Sequence, residues 1–148
     1  MRILLLSLAF IPLLLGCKDA NQASDTRATA ENAQAGKSTI SLISVQAADE
    51  ALQSGAVAVD ANSDSTREKK GTVPNAVILT SSYKYELTEL PQDKSKDLIF
   101  YCANTHCNAS DAAAERAASN GYEKVHVMRE GIQGWKDAGK PTAAYPQS

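Results

Sequence analysis

The sequence predicts an α/β fold: a doubly wound parallel sheet with helices on both faces, built by a single domain at residues 38–146 of the 148-residue chain. Three observations predict it. The runs "AVAVD", "AVILT", "DLIFY" and "KVHVM" are predominantly apolar over strand length, as strands covered on both faces require. Between them lie segments of helical spacing or helix-forming composition, and Gly or Pro closes most of those segments. Parallel neighbours need crossover connections, and helices supply them.

Taken in order, "STISLISVQAADEALQSG" opens with apolar Ile40 and Leu42 on alternate positions, a first strand. It then sets Ala48, Ala51 and Leu52 at helical spacing and stops at Gly55, as a C-cap would. "AVAVD" is a buried strand ending on Asp60. "NSDSTREKKGTVPN" is polar and turn-rich, and Arg67, Glu68, Lys69 and Lys70 read as a solvated charged turn. Residues 76–80 form the next strand; "SSYKYELTEL" follows as a short helix with a Ser cap, apolar points at Tyr85, Leu87 and Leu90, and an end at Pro91.

"DLIFY" is a third buried strand and "SDAAAERAASNG" a helix closed by Gly121. Ala112, Ala113, Ala117 and Ala118 carry so little bulk that this helix can lie close on the sheet. "KVHVM" is a fourth buried strand, in which His126 is expected to be a satisfied sheet histidine. "GIQGWKDAGKP" gives a last short helix bounded by Pro141, with Trp135 as a core anchor.

Ahead of the domain, "MRILLLSLAFIPLLLGC" has one basic residue, Arg2, and an apolar run too short to span a bilayer. Its end, "LLGC", resembles the lipobox of bacterial lipoproteins. That resemblance implies that residues 1–16 are a signal peptide and that Cys17 is lipidated, and two or more acyl chains give stable membrane attachment. Asp19 stands one place later than an inner-membrane retention signal would, so the expected location is the periplasm, anchored to the outer membrane. Residues 17–37 after the lipidated cysteine contain no large apolar side chain and read as a flexible tether. The formal net charge of −2, without a basic cluster, argues against a nucleic-acid partner.

Lipidation of Cys17 would leave Cys102 and Cys107 as the free cysteines in a compartment where disulfides persist. They form a pair or a reactive site. Cys102 directly follows "DLIFY", and sites in parallel α/β sheets form beyond the carboxyl ends of strands, where helix N-termini present free N–H groups. A thiol there meets backbone amides and a helix dipole, both of which favour thiolate.

The chain is similar at this point to the rhodanese homology domain. "VAVDAN" and "GTVPNA" match that family's strand ending in Asp and its later glycine-proline turn, through Asp60, Gly71, Pro74 and Ala76. "IFYC" matches the active-site strand and its cysteine, and "NGYEKVHVMREGIQGWKDAGKP" matches the closing segment through Gly121, Tyr122, Gly131 and Trp135. The resemblance implies a sulfurtransferase in which Cys102 takes a sulfane sulfur as a persulfide and passes it to a nucleophile. It also implies that Ala103, Asn104, Thr105, His106 and Asn108 form the substrate loop, with the amides of residues 103–107 holding the transferred sulfur. No metal or organic cofactor is implied. The expected partners are a small sulfur-containing donor, a thiol acceptor such as a protein thiol, and the membrane, with the chain acting as a monomer.

The loop departs from thiosulfate-using members, because Cys107 stands where a basic residue would pair with a sulfonate. Asn62, Thr72 and Asn75 replace the family's usual arginine, histidine and glycine, and the span from Cys102 to Gly121 is about two residues long. Thiosulfate is therefore not the expected donor. No arginine lies between Cys102 and Asp111, which argues against phosphatase chemistry.

Cys107 has three readings: it resolves a Cys102 persulfide, it forms a reversible dithiol pair with Cys102, or it staples the loop. A short loop gains at most about 3 kcal/mol from a bridge, which favours the first two. His106 is either a cationic partner of the thiolate or an exposed loop histidine. Cys102, His106 and Cys107 lack the fourth ligand of a closed zinc site. Asp60 is expected to support the site as a strand-end carboxylate accepting loop N–H bonds. The rival to catalysis is a binding module in which the two cysteines form a permanent bridge.

Overall fold

The computed structural model describes residues 39–146. The signal segment 1–16, Cys17 and the tether 17–37 lie outside the described residues. Strand β1, Thr39–Leu42, leads into helix α1, Val45–Gln53, whose cap is Ser44: its Oγ accepts from the Ala47 amide at 3.3 Å. β2, Val57–Asp60, follows, then α2, Asp64–Lys70, and the two-residue β3, Val77–Ile78. A 3₁₀ turn at Leu87–Glu89 precedes β4, Asp97–Tyr101. Helix α3, Ala109–Ser119, β5, Lys124–Met128, and α4, Gly131–Asp137, complete the order.

The strands pair in parallel in the order β1-β5-β4-β2-β3, so β4 is central. Because side chains alternate along a strand, each buried strand feeds two cores. Val59, Leu98, Phe100, Val125 and Val127 pack with Ala113, Ala114 and Ala117 of α3 on one face. Ala58, Ile99, Tyr101 and Met128 pack with Val45 and Ala48 of α1 and Ile132 and Trp135 of α4 on the other. This is the doubly wound arrangement, and the alanines of α3 give the close helix–sheet contact. Trp135 is 2 % exposed and its Nε1 donates to the Pro141 carbonyl at 2.7 Å. Burying a large apolar side chain of this kind stabilises by about 1.5–3 kcal/mol.

Three sequence expectations need correction. The charged turn at residues 67–70 is part of helix α2, and Arg67 is buried rather than solvated. The strand expected over residues 76–80 pairs only at Val77–Ile78: the Leu79 amide gives the last ladder bond, to the Asp60 carbonyl at 3.1 Å, after which the Leu79 carbonyl accepts from Arg67 at 2.9 Å and the Thr80 amide donates to the Glu89 carboxylate at 2.8 Å. The helix expected in "SSYKYELTEL" shrinks to a 3₁₀ turn, because Glu89 turns back on the chain and accepts from the Glu86 amide at 2.8 Å.

Candidate active site at the carboxyl end of the central strand

Cys102 is the first residue past β4 and is 1 % exposed. A loop carries the chain from it through exposed Thr105 and His106 to partly exposed Cys107, Asn108 and the start of α3. Cys102 and Cys107 are joined as a disulfide, with their Cα atoms 6.3 Å apart, inside the separation such bonds require. The loop therefore curls back on itself. Its curl has a local cause: the Cys107 amide donates to the Asn104 carbonyl at 3.1 Å, and the His106 amide donates to the Asn104 side-chain oxygen at 3.0 Å.

Those two amides are engaged within the loop. Of the stretch expected to cradle a transferred sulfur, residues 103–107, only Ala103, Asn104 and Thr105 have amides outside these two bonds. What stands beside the Cys102 sulfur is a side chain: Ser110, 0 % exposed in the first turn of α3, donates its hydroxyl to Cys102 Sγ at 3.3 Å. The carbonyl oxygen of Cys107 lies 3.2 Å from the same sulfur and accepts a hydrogen bond only from the reduced thiol. The helix N-terminus and the Ser110 hydroxyl favour a thiolate there; the carbonyl favours the protonated form.

α4 holds the loop from beneath. The Ile132 amide donates to the Cys102 carbonyl at 2.8 Å and the Gln133 amide to the Ala103 carbonyl at 3.1 Å. Gly131 makes this approach feasible. Its φ is +63°, and a Cβ there would meet the Cys102 carbonyl oxygen and lie 2.8 Å from Ala103 C and Asn104 N. The glycine of "REGIQGW" is thus a site residue through its missing side chain.

One strand over, Asp60 closes β2 at 0 % exposure. Its Oδ1 accepts from the Asn62 amide at 2.7 Å and from Arg67 Nε at 3.2 Å, while Oδ2 accepts from the Tyr101 hydroxyl at 2.6 Å. Arg67, 3 % exposed, also donates to the carbonyls of Asp60 at 3.1 Å and Leu79 at 2.9 Å, and to Asp64 at 2.9 Å. The Tyr101 hydroxyl accepts from the Val73 amide at 3.0 Å. Burial, and then the Asp60 carboxylate, push this phenol far above the usual tyrosine range. The network ties β2, α2, β4 and the segments flanking β3 directly behind the cysteine.

In the turn that follows α2, Asn75 adopts a left-handed φ of 59°, the conformation that asparagine tolerates best after glycine. His126 bridges Ser41 Oγ, 2.6 Å from Nδ1, and Asp97 Oδ1, 2.8 Å from Nε2, so it belongs to the sheet surface rather than the site. Exposed His106 stands in the cysteine loop. A cavity of about 410 Å³, lined by Leu52, Ala56, Val73, Pro74 and Trp135 among others, opens at the amino ends of β2 and β3. It is at the far end of the sheet from Cys102. Among the described residues no group of three or more His, Cys, Asp or Glu side chains is arranged to hold a metal ion, and no helix is long and apolar enough to cross a membrane.

Sequence reasoning missed Ser110, Arg67 and Tyr101. Ser110 was detectable only as a hydroxyl in the helix turn after a strand-end cysteine. Arg67 was signalled by Ser63 and Asp64, a helix start in a stretch read as a turn, and by Asp60, a strand-end carboxylate needing a partner.

The family model for the rhodanese-like domain matches residues 44–138. Among solved structures, a protein from Rhodopseudomonas palustris, described as of unknown function and a possible tyrosine phosphatase, is similar at 25 % identity, covering 70 % of this chain and 84 % of its own, with a TM-score of 0.56. A rhodanese-related protein from Thermoplasma volcanium is similar at 24 % identity over 67 % of this chain and 93 % of its own, with a TM-score of 0.55. A Bacillus halodurans protein reaches 0.59 at 21 % identity, over 69 % and 75 %.

Proposed function

The chain belongs to the rhodanese-like domain family, and from that membership we propose that it handles sulfane sulfur through a persulfide on Cys102, with Cys107 as the resolving thiol. The observation that carries the reading is the placement of the Cys102 sulfur: end of the central strand, 3.3 Å from a buried hydroxyl donor, and within bonding reach of a second cysteine. In the first step a Cys102 thiolate attacks the outer sulfur of a donor RS–S⁻ and RS⁻ leaves, giving Cys102–S–S⁻. The outer sulfur then goes to an acceptor nucleophile, or the persulfide takes a proton from solvent and Cys107 thiolate attacks Cys102 Sγ, expelling the outer sulfur as HS⁻ and forming the Cys102–Cys107 bond. The second branch reduces the sulfane sulfur to sulfide and oxidises two cysteines. No cofactor enters either branch.

Donor class follows from charge. Residues 103–110 contain no lysine or arginine, so a dianion such as thiosulfate has no cationic partner in the loop. A thiol-borne persulfide, small or on a protein, fits better. The same lack of arginine separates the chain from phosphoryl chemistry, whatever the Rhodopseudomonas relative does. The lipobox-like "LLGC" supports a lipid-anchored, periplasmic setting, where a reversible disulfide has biological use. Where no sulfane donor is present, the same pair serves as a thiol–disulfide redox couple.

The test is a donor screen. The fully reduced chain, incubated with thiosulfate, glutathione persulfide or inorganic polysulfide and read by intact mass, gains one sulfur on Cys102 from the persulfide donors and little from thiosulfate. Cys102→Ser abolishes the gain. A chain that takes up sulfur from none of them is not a sulfurtransferase.

A further inference from the structure

The Cys102–Cys107 bond is asymmetric, and the geometry points to Cys107 as the sulfur that an external thiol attacks when the site is reset, with Cys102 as the leaving thiolate. This deepens the persulfide reading by naming how its site is regulated, and rests on it in requiring a reduced Cys102.

Access comes first. Cys102 is 1 % exposed, closed in by the end of β4 and the first turn of α3, whereas Cys107 is partly exposed on a limb whose neighbours Thr105 and His106 are exposed. Thiol–disulfide exchange depends on access to the sulfur attacked and on how well the other sulfur departs. Departure points the same way. The Ser110 hydroxyl already donates to Cys102 Sγ at 3.3 Å, and such a bond roughly doubles in strength as its acceptor becomes an anion. Ser110 lies in the first turn of α3, an 11-residue helix, so the developing charge also meets the positive end of the helix dipole. Among the described residues no hydroxyl or cation is hydrogen-bonded to the Cys107 sulfur.

The step balances with an external thiol as reductant. RS⁻ attacks Cys107 Sγ; the Cys102–Cys107 bond breaks with its electron pair on Cys102, and an RS–S–Cys107 mixed disulfide forms. A second RS⁻ attacks the RS sulfur, releasing RSSR and Cys107 thiolate, which takes a proton from solvent. Two thiols are oxidised and one intrachain disulfide is reduced. Electrons therefore enter on the exposed limb of the loop, and sulfane sulfur is received at its buried root.

The oxidised full chain, treated briefly with reduced glutathione, quenched in acid, alkylated and peptide-mapped, should carry glutathione on Cys107 and the alkyl group on Cys102. The expected excess over the opposite pattern is about tenfold or more. Ser110→Ala should slow release of Cys102 about fivefold while leaving attachment on Cys107, as expected when a hydrogen bond to a leaving anion is lost. Equal labelling, glutathione mainly on Cys102, or a bond that glutathione does not open would each overturn the inference. Failure of the persulfide reading is separate: it appears in the donor screen on the fully reduced chain, whichever cysteine glutathione enters.

Discussion

The ends of β2 and β4 lie side by side in one sheet, yet they are built to opposite purposes. At the end of β2, both oxygens of Asp60 are occupied and Arg67 donates to four acceptors, all but Asp64 buried. At the end of β4, the Cys102 sulfur has one donor at 3.3 Å and a single covalent partner, Cys107. A saturated network holds position and resists change, because removing any member strands a buried polar partner. A sparsely bonded sulfur can change partners. The saturated network stands beside the cysteine loop and fixes the strand end from which that loop departs.

The comparison can be broken first at Asp60. Asp60→Ala leaves the Arg67 guanidinium buried without its carboxylate and should lower stability by about 4 kcal/mol in urea denaturation. The molecules that stay folded should still form the cysteine bond. Gly131→Ala attacks the seam between α4 and the cysteine loop: a Cβ at 2.8 Å from loop backbone, at a positive φ, should cost about 3 kcal/mol. This variant should also lose sulfur loading, because the clash falls on Cys102 and Ala103 themselves.

Tyr101→Phe sharpens the comparison from the scaffold side. It leaves Asp60 Oδ2 and the Val73 amide without their partner and should cost about 2 kcal/mol, read by thermal unfolding. The same phenol supplies a pH test. Its folded pKa is raised above its unfolded value near 10, so its contribution is fully present below pH 10 and is lost as pH rises further. Stability of the native chain should fall above pH 10, and Tyr101→Phe should flatten part of that fall. The remainder belongs largely to Tyr85, whose phenol burial pushes up to about 12. The smallest effect is expected in the reactive loop: Cys107→Ser should cost about 2 kcal/mol under oxidising conditions and almost nothing under reducing ones, since only a short loop is released. A large loss in reductant would show the loop to be scaffold after all.

The contrast also explains what the sequence disclosed. Strands "DLIFY" and "KVHVM" were legible to the residue because large apolar side chains dominate both runs, with Lys124 and His126 at the two positions of β5 that are not buried. The place of Cys102 at the strand end was legible because it directly follows "DLIFY". Arg67 was not, since its role depends on the carboxylate and carbonyl of Asp60 seven residues earlier and on the carbonyl of Leu79 twelve residues later, contacts that a turn-rich composition conceals. Ser110 was hidden for a related reason: a serine in a helix turn is ordinary until the loop folds back and brings a sulfur to it. The shortened strand at Val77–Ile78 shows the same limit, because the side chains of Arg67 and Glu89 take the Leu79 carbonyl and the Thr80 amide that an apolar run would have given to the ladder.

Cys102 hangs from the middle strand, flanked by β5 on one side and β2 on the other. Peripheral strands fray before interior ones, so amides of β4 should be among the slowest to exchange with deuterium. Breathing at the rim of the sheet then passes without displacing the sulfur.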